Sequence, residues 1–349
     1  MRSRPQASGP SPGIVGGRPR RWPNDGARRR SRQPRREWNQ APPPNAGWRL
    51  ACLWLAVGAA AQARAPLPVD DDKLVATIEA RCAALREKGA LVHIEDLHPK
   101  DLPRSVELRL GEPSHDRLEP PDLYERARAS ALLVGVFYRC TECESWHFDA
   151  ASGFVLDADG AVATCFHVFE LDAERRETFC VVADDQGEVW PIKSLLAADP
   201  EADVCIVGTE AKGRRPLPVR AGARVGERVW CVSNPDHRFA FFSEGMIARS
   251  FVSREPPADD TDDDPAADAG PNRVAPVLPA GTPAYEVTLD FALGSSGAGI
   301  VDACGNVVAL AQATTTIVYD PDAPNPDVQM VVKIAAPAAA LRGLVRPPK

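Results

Sequence analysis

The chain has 349 residues, with 41 basic against 48 acidic side chains, 34 Pro, nine Cys and a formal charge of −7. That length allows two compact units with a sizeable core, and the negative balance argues against nucleic acid as a partner. The average conceals a split: residues 1–50 hold twelve Arg and no Lys against Asp25 and Glu37, a charge of +10 that leaves −17 for the rest.

Residues 1–46 are Arg, Pro, Gly and Ser with almost no apolar side chains, so they cannot bury enough surface to fold. An Arg tract such as Arg28-Arg29-Arg30 needs no partner as a solvated tail. The apolar run Ala51–Ala61 is too short for a spanning helix, which needs roughly 20 residues. With Arg49 before it and the small residues of Ala59-Ala60-Ala61 and Ala63-Arg64-Ala65 after it, residues 47–65 read as a secretory signal. The expected location is secreted or periplasmic, with no stable membrane span once the signal is cut. Cys52 would leave with the signal, and eight Cys would remain in an oxidising compartment.

The next segment, residues 66–121, reads as helical and irregular. Asp70 to Lys88 has the apolar spacing of a helix in Leu74, Ile78, Cys82 and Leu85, with Gly89 to stop it. Leu123 to Arg128 is another helical turn. From Ala129 the texture changes to short apolar or alternating runs about every ten positions, including Leu132–Tyr138, Gly153–Leu156, Val204–Val207, Gly245–Ala248 and Val307–Gln312. Asp157-Ala158-Asp159-Gly160 and Asp184-Asp185-Gln186-Gly187 read as hairpin turns between them. That pattern is all-β, a barrel or sandwich, closed by a helix from Pro337 to Leu344. Residues 255–281 interrupt it as an acidic, Pro-rich surface loop expected to be disordered. Its Asp259–Asp264 run lacks the Gly and terminal Glu of a formed calcium loop. Cys140-x-x-Cys143 with His147 invites a zinc reading. No second CxxC accompanies it, so a local disulfide or plain thiols are expected, and neither a metal nor a cofactor.

Three places in the β region carry chemistry. His167 ends the run Thr164-Cys165-Phe166-His167-Val168, where an imidazole can project into a cleft. Asp203 directly precedes the apolar run Val204–Val207, where a carboxylate can be held dry. Gly294-Ser295-Ser296-Gly297 lets the backbone turn sharply and present N–H groups beside a hydroxyl. In the order His, Asp, Ser these resemble the trypsin-like serine protease superfamily, in particular its bacterial secreted branch related to the HtrA (Deg) proteases. The branch's Ser-Gly-Phe and Thr-x-x-His-Val segments are matched by Ser152-Gly153-Phe154 and Thr164–Val168. Its Asp-Pro-x-x-Asp is matched by Asp199 to Asp203, and its Gly-Asn-Ser-Gly-Gly-Pro, imperfectly, by Gly294 to Gly299. Gly226–Pro235 and Ser243–Ala248 look like its second-barrel strands.

The resemblance covers about residues 122–345. It implies two antiparallel six-stranded β-barrels, at about 129–215 and 216–335, with the cleft between them. It implies Ser296 as nucleophile, His167 as general base and acid, and Asp203 as the group fixing the imidazole. Ser296 is preferred to Ser295 because it lies two after Gly294, and Asp203 to Asp199 because it abuts the strand. The N–H groups of Gly294 and Ser296 would form the oxyanion hole. Asp290, six residues before Ser296, has the spacing of the acid that selects basic P1 residues in trypsin itself. The family's second Gly and its Pro are here Ala298 and Gly299; Ala298 is tolerable at negative φ and costly at positive φ. The regulatory PDZ module of HtrA proteins is expected to be missing. The expected activity is a serine endopeptidase acting on polypeptides without a cofactor. The alternative is a catalytically inactive trypsin-fold protein that binds peptides or partners. Oligomeric state is not legible.

Overall fold

The computed structural model describes residues 68–97, 101–170, 174–254, 278–319 and 327–348. The basic tail, the signal segment and most of the acidic 255–281 loop lie outside the described residues, and so do the expectations attached to them.

Helix α1 (Asp71–Glu87) starts where the Asp70 carboxylate accepts the Lys73 N–H at 3.1 Å and ends before Gly89 at φ +65°. A short turn, α2 (Ile94–Leu97), and strand β1 (Val106–Glu107) follow. Helix α3 (Pro120–Ser130) is a full three turns where the sequence pointed to one, because Pro120 and Pro121 supply pre-set φ angles at its start.

Barrel one is closed by β2 (Ala131–Cys140), β3 (Trp146–Val155), β4 (Ala161–Thr164), β5 (Arg175–Ala183), β6 (Val189–Asp199) and β7 (Val204–Thr209), in the order β2-β3-β4-β7-β6-β5. Barrel two is closed by β8 (Arg228–Ser233), β9 (Phe241–Val252), β10 (Pro283–Val287), β11 (Gly299–Val301), β12 (Val307–Val318) and β13 (Val328–Pro337), in the order β10-β13-β12-β11-β8-β9. All pairings within the barrels are antiparallel, so the expected two six-stranded antiparallel barrels form. Helix α4 (Ala338–Gly343) and strand β14 (Val345–Arg346) complete the described chain.

The period of two in β2 divides its side chains between two cores. Leu132, Val134 and Val136 point into the barrel with Val162, Val182, Ile192 and Val207. Leu133 and Phe137 point outward against Leu74, Ile78 and Cys82 of α1. Burial on both faces is why this strand reads as a continuous apolar run rather than an alternating one. Phe154, Leu156 and Ile206 from barrel one, and Trp230, Val301, Val307 and Leu310 from barrel two, meet in a third cluster capped by Leu123 of α3 and Leu341 of α4. Each large side chain buried there contributes about 1.5–3 kcal/mol, enough to fix one barrel against the other.

The stretch before the barrels, whose role the sequence did not reveal, straps them together. Lys193 Nζ donates to the Ala90 carbonyl at 3.1 Å and Ala198 N–H to Pro103 at 2.8 Å, both on barrel one. Further on, Ser114 N–H donates to Asn306 Oδ1 at 2.7 Å, and β1 pairs in parallel with β14. The cysteines at 82, 140, 143, 165, 180, 205, 231 and 304 are all free. Burial pushes the thiols of Cys82, Cys180 and Cys231 up to about 12, so they behave as small apolar core residues.

Candidate active site

His167 lies on a single 3-10 turn (Phe166–Phe169) after β4, which lifts its ring to the lip of the cleft between the barrels. Its side chain is 40% exposed, against 14% for Asp203. The carboxylate of Asp203 accepts two hydrogen bonds from this residue: Oδ2 from the ring Nδ1 and Oδ1 from the backbone N–H, each at 2.8 Å. Both oxygens can serve because Asp203 sits at φ +53°, a left-handed conformation that Asp tolerates better than most residues. Asp199 is elsewhere engaged, with Oδ1 accepting from the N–H groups of Glu201 and Ala202 and so shaping the turn into β7.

Burial works against the charged form of the His167 ring. The hydrogen bond and charge of Asp203, joined by the charge of Glu170, outweigh it and hold the pKa above 6.5. A third ligand of the acid, unforeseen from the sequence, is Gln312 on β12. Its Nε2 donates to Asp203 Oδ2 at 3.2 Å and to the Ala202 carbonyl at 3.1 Å. The only sequence signal was a lone amide directly after the apolar run Val307–Ala311.

Ser296 stands on the opposite wall. Its Oγ donates to the Gln312 carbonyl at 3.2 Å rather than to His167. Ser295 is fully buried, accepting from Ala292 N–H and donating to Ser233 Oγ, both at 3.2 Å, so it anchors the loop. The N–H groups of Gly294 and Ser296 donate to no acceptor among the described residues, and both residues line one cleft. They remain free because the intervening backbone is held from outside. Asp236 N–H donates to the Leu293 carbonyl at 2.7 Å, and Ser152 Oγ donates to the Gly294 carbonyl at 2.9 Å. Ser152 Oγ in turn accepts from the backbone and side-chain nitrogens of Asn234, at 3.2 and 3.0 Å. Gly294 is at φ +88°, and a Cβ there would lie 2.5 Å from the Asn234 carbonyl oxygen.

The two departures at the end of the loop are accommodated. Ala298 keeps φ on the negative side, is fully buried, and exchanges backbone hydrogen bonds with Ser295 and Ala311. Gly299 opens β11 where a side chain would press on Phe154 at 3.0 Å.

Two clefts meet at His167 and Ser296. One, of about 580 Å³, is lined by Phe291, Ala292, Leu293, Ala313 and Thr314 beside His167 and Ser296. The other, of about 470 Å³, runs along Asp149–Ala151, Val168 and Arg175. Asp290 lines neither. It is exposed, because β10 ends at Val287 and the chain turns Leu289 and Phe291 inward and Asp290 out. The wall that the sequence assigned to Asp290 is apolar, and Lys333 Nζ donates to the Phe291 carbonyl behind it.

Among the described residues, two groups of side chains have metal-ligating composition: Cys165, His167 and Asp203, and Cys140, Cys143 and His147. In the first group, burial raises the Cys165 thiol far above its usual range, and the thiol donates to the Ala311 carbonyl. It stays protonated and is a poor ligand.

Paired six-stranded barrels with a His, an Asp and a Ser meeting in the cleft between them define the trypsin-like peptidase fold. In keeping with that, residues 151–310 match the trypsin-like peptidase domain family. Residues 151–310 are therefore similar to trypsin-like peptidase domains. No curated protein sequence matches it significantly. Similar solved structures are the HtrA-type protease AlgW with a tripeptide (18% identity, 64% of this chain and 62% of that one, TM-score 0.43) and Deg5 (19%, 64% and 90%, 0.41). Another is the Rv3671c protease in an inactive form (16%, 68% and 97%, 0.43). This chain thus spans less than two thirds of the AlgW chain.

Proposed function

We propose that the protein is a serine endopeptidase, secreted or periplasmic, that hydrolyses peptide bonds through an acyl-enzyme on Ser296. The observation that carries the reading is the doubly anchored His167–Asp203 couple in a cleft that Ser296 also lines, with two uncommitted N–H groups on the loop that carries Ser296. Rotation of Ser296 Oγ from the Gln312 carbonyl toward His167 Nε2 lets the ring take its proton as the oxygen attacks the scissile carbonyl. The oxyanion then accepts from Gly294 and Ser296, the ring returns the proton to the leaving amine, and water reverses the sequence. Asp203 keeps the other ring nitrogen protonated throughout.

Strand β12 supports a polypeptide substrate. Its pairing with β11 stops at Leu310, and beyond the Gln312 carbonyl, which accepts from Ser296 Oγ, this edge has no strand partner among the described residues, so an extended peptide can add there as a strand. The apolar wall of Phe291, Leu293 and Ala313, with Lys333 behind it, favours a small or medium apolar P1 side chain over a basic one. The export assignment rests on residues 47–65.

A fluorophosphonate probe tests the reading. Folded wild type should be labelled, Ser296→Ala should not, and hydrolysis of an apolar-P1 peptide should fall by about 10⁶-fold in that variant. Folded wild type that takes no label would favour the second reading, a peptide-binding protein without turnover. The observation behind that reading is that Ser296 Oγ rests on Gln312 instead of His167.

A further inference from the structure

A cluster of nucleophilic side chains outside the catalytic cleft has no part in this chemistry. Cys140 ends β2, Cys143 lies in the five-residue loop that follows, and His147 is the second residue of β3, paired across the hairpin with Tyr138. Their donor atoms all lie within 4.8 Å of one another, and Cys143 Sγ is 2.9 Å from His147 Nε2.

The loop is built to hold this arrangement. Cys140 N–H donates to the Ser145 carbonyl at 3.0 Å and closes it. Thr141 ties it to β5 through hydrogen bonds from N–H and Oγ1 to the Glu174 carbonyl, each at 3.0 Å. Glu144 takes φ +56°, a strained value for a residue with a long side chain, and turns the chain so that Cys143 returns over His147. The Glu144 carboxylate is anchored by Arg139 and Arg176, both at 3.2 Å. Glu142 N–H also points at Cys140 Sγ at 3.4 Å, a contact of the kind that orients a sulfur ligand.

We propose that Cys140, Cys143 and His147 form a binding site for a zinc-type divalent cation, with the fourth position open to water. Two thiolates and a neutral imidazole offer the borderline-soft donor set such an ion selects, and the two thiolate charges cancel that of the cation. Tetrahedral zinc at about 2.3 Å from sulfur and about 2.0 Å from nitrogen places its ligands about 3.5–3.8 Å apart. Side-chain shifts of about 1 Å therefore suffice to replace the proton shared by Cys143 and His147 with the metal. Binding releases two protons, one from each thiol. The loop remains solvent-facing at Cys143, which keeps the fourth position accessible. The ion would staple the hairpin whose next residues, Asp149 to Ala151, form the rim of the second cleft.

The test is metal analysis of reduced full-length protein after exposure to zinc chloride and dialysis. Wild type should retain about one equivalent and Cys140→Ser/Cys143→Ser less than about a tenth. Retention should be unchanged in His167→Ala, which removes the other metal-like cluster. Cobalt in place of zinc should give a sulfur-to-metal charge-transfer band that Cys143→Ser abolishes. Should the double variant fold poorly, His147→Gln, which keeps both thiols, should bind at least about tenfold more weakly, and zinc should raise the wild-type Tm but not this variant's. No retained metal in the reduced wild type overturns the proposal. So does binding that survives in Cys140→Ser/Cys143→Ser, or binding lost only in His167→Ala.

Discussion

Replacing Gly294 with Ala separates the oxyanion loop from the rest of the catalytic apparatus. The glycine is at φ +88°, and the added methyl would lie 2.5 Å from the carbonyl oxygen of Asn234, a backbone atom that cannot swing aside. A left-handed conformation costs a non-glycine residue about 1–2 kcal/mol before any overlap is counted. Turning the 293–294 peptide relieves both problems. That turn breaks the 2.7 Å hydrogen bond from Asp236 to the Leu293 carbonyl and carries the Gly294 N–H away from Ser296. One donor to the oxyanion is worth about 2.7–4 kcal/mol at the transition state, so kcat should fall by about 10²–10³. His167, Asp203 and the Phe291 and Ala313 part of the P1 wall are untouched, so KM should change less than kcat and Tm should fall by only a few degrees, about 2–4 °C per kcal/mol for a body of this size. Steady-state hydrolysis of an apolar-P1 peptide, with thermal melting as the control for folding, reads both quantities. A folded variant whose kcat stays within about threefold of wild type, or which loses only KM, would show that the loop does not act as argued.

Two other substitutions bear on the base. Asp203 and Glu170 hold the His167 pKa above 6.5, and the proposed general base works as the neutral ring. The acid limb of kcat/KM should therefore lie above that value, and Glu170→Gln should move it to lower pH; a shift upward, or none, contradicts the assignment. Gln312→Leu removes a donor from Asp203 Oδ2 and leaves that oxygen more basic. A pH profile should show the acid limb displaced upward together with a loss of about tenfold in kcat, which a merely structural residue would not produce.

What could be read in the sequence depended on whether a residue's role is local. His167, Asp203 and Ser296 stand beside the strands that place them, so an acid abutting an apolar run or a serine between glycines already carries its context. Helix α1 was equally legible, because its cap, its apolar stripe and its terminating glycine fall within twenty neighbouring positions. β3 was recognisable only from Gly153 onward. Its first half, Trp146–Ser152, has no clean alternation, since its partners lie on both α1 and the barrel interior. Gln312 and Ser152 were not identifiable as functional groups, because they act across 109 and 142 residues of intervening chain. Asp290 misled for the related reason that sequence spacing gives distance along the chain and not the face to which a side chain turns.

The same long-range contacts explain why the replacements at Ala298 and Gly299 leave the site intact. A loop of this kind can owe its shape to its own rigid residues or to what grips it. Here the grip comes from the other barrel. Ser152 of β3 donates its N–H to the Ser296 carbonyl at 2.9 Å and its hydroxyl to the Gly294 carbonyl, so one residue of barrel one holds both ends of the oxyanion turn. Thr164 of β4 braces Ser152 through a 2.7 Å hydrogen bond to its carbonyl. A Cβ at Gly297 would lie 2.3 Å from that carbonyl oxygen, so the loop is seated as closely as backbone allows. In the other direction, Gln312 of barrel two reaches back to Asp203. The proposed nucleophile and acid are thus each positioned by the barrel to which they do not belong. The preorganisation that catalysis requires is therefore a property of the interface sealed by Phe154, Trp230 and Val301, and a methyl at position 298, buried on the barrel-two side, leaves it undisturbed.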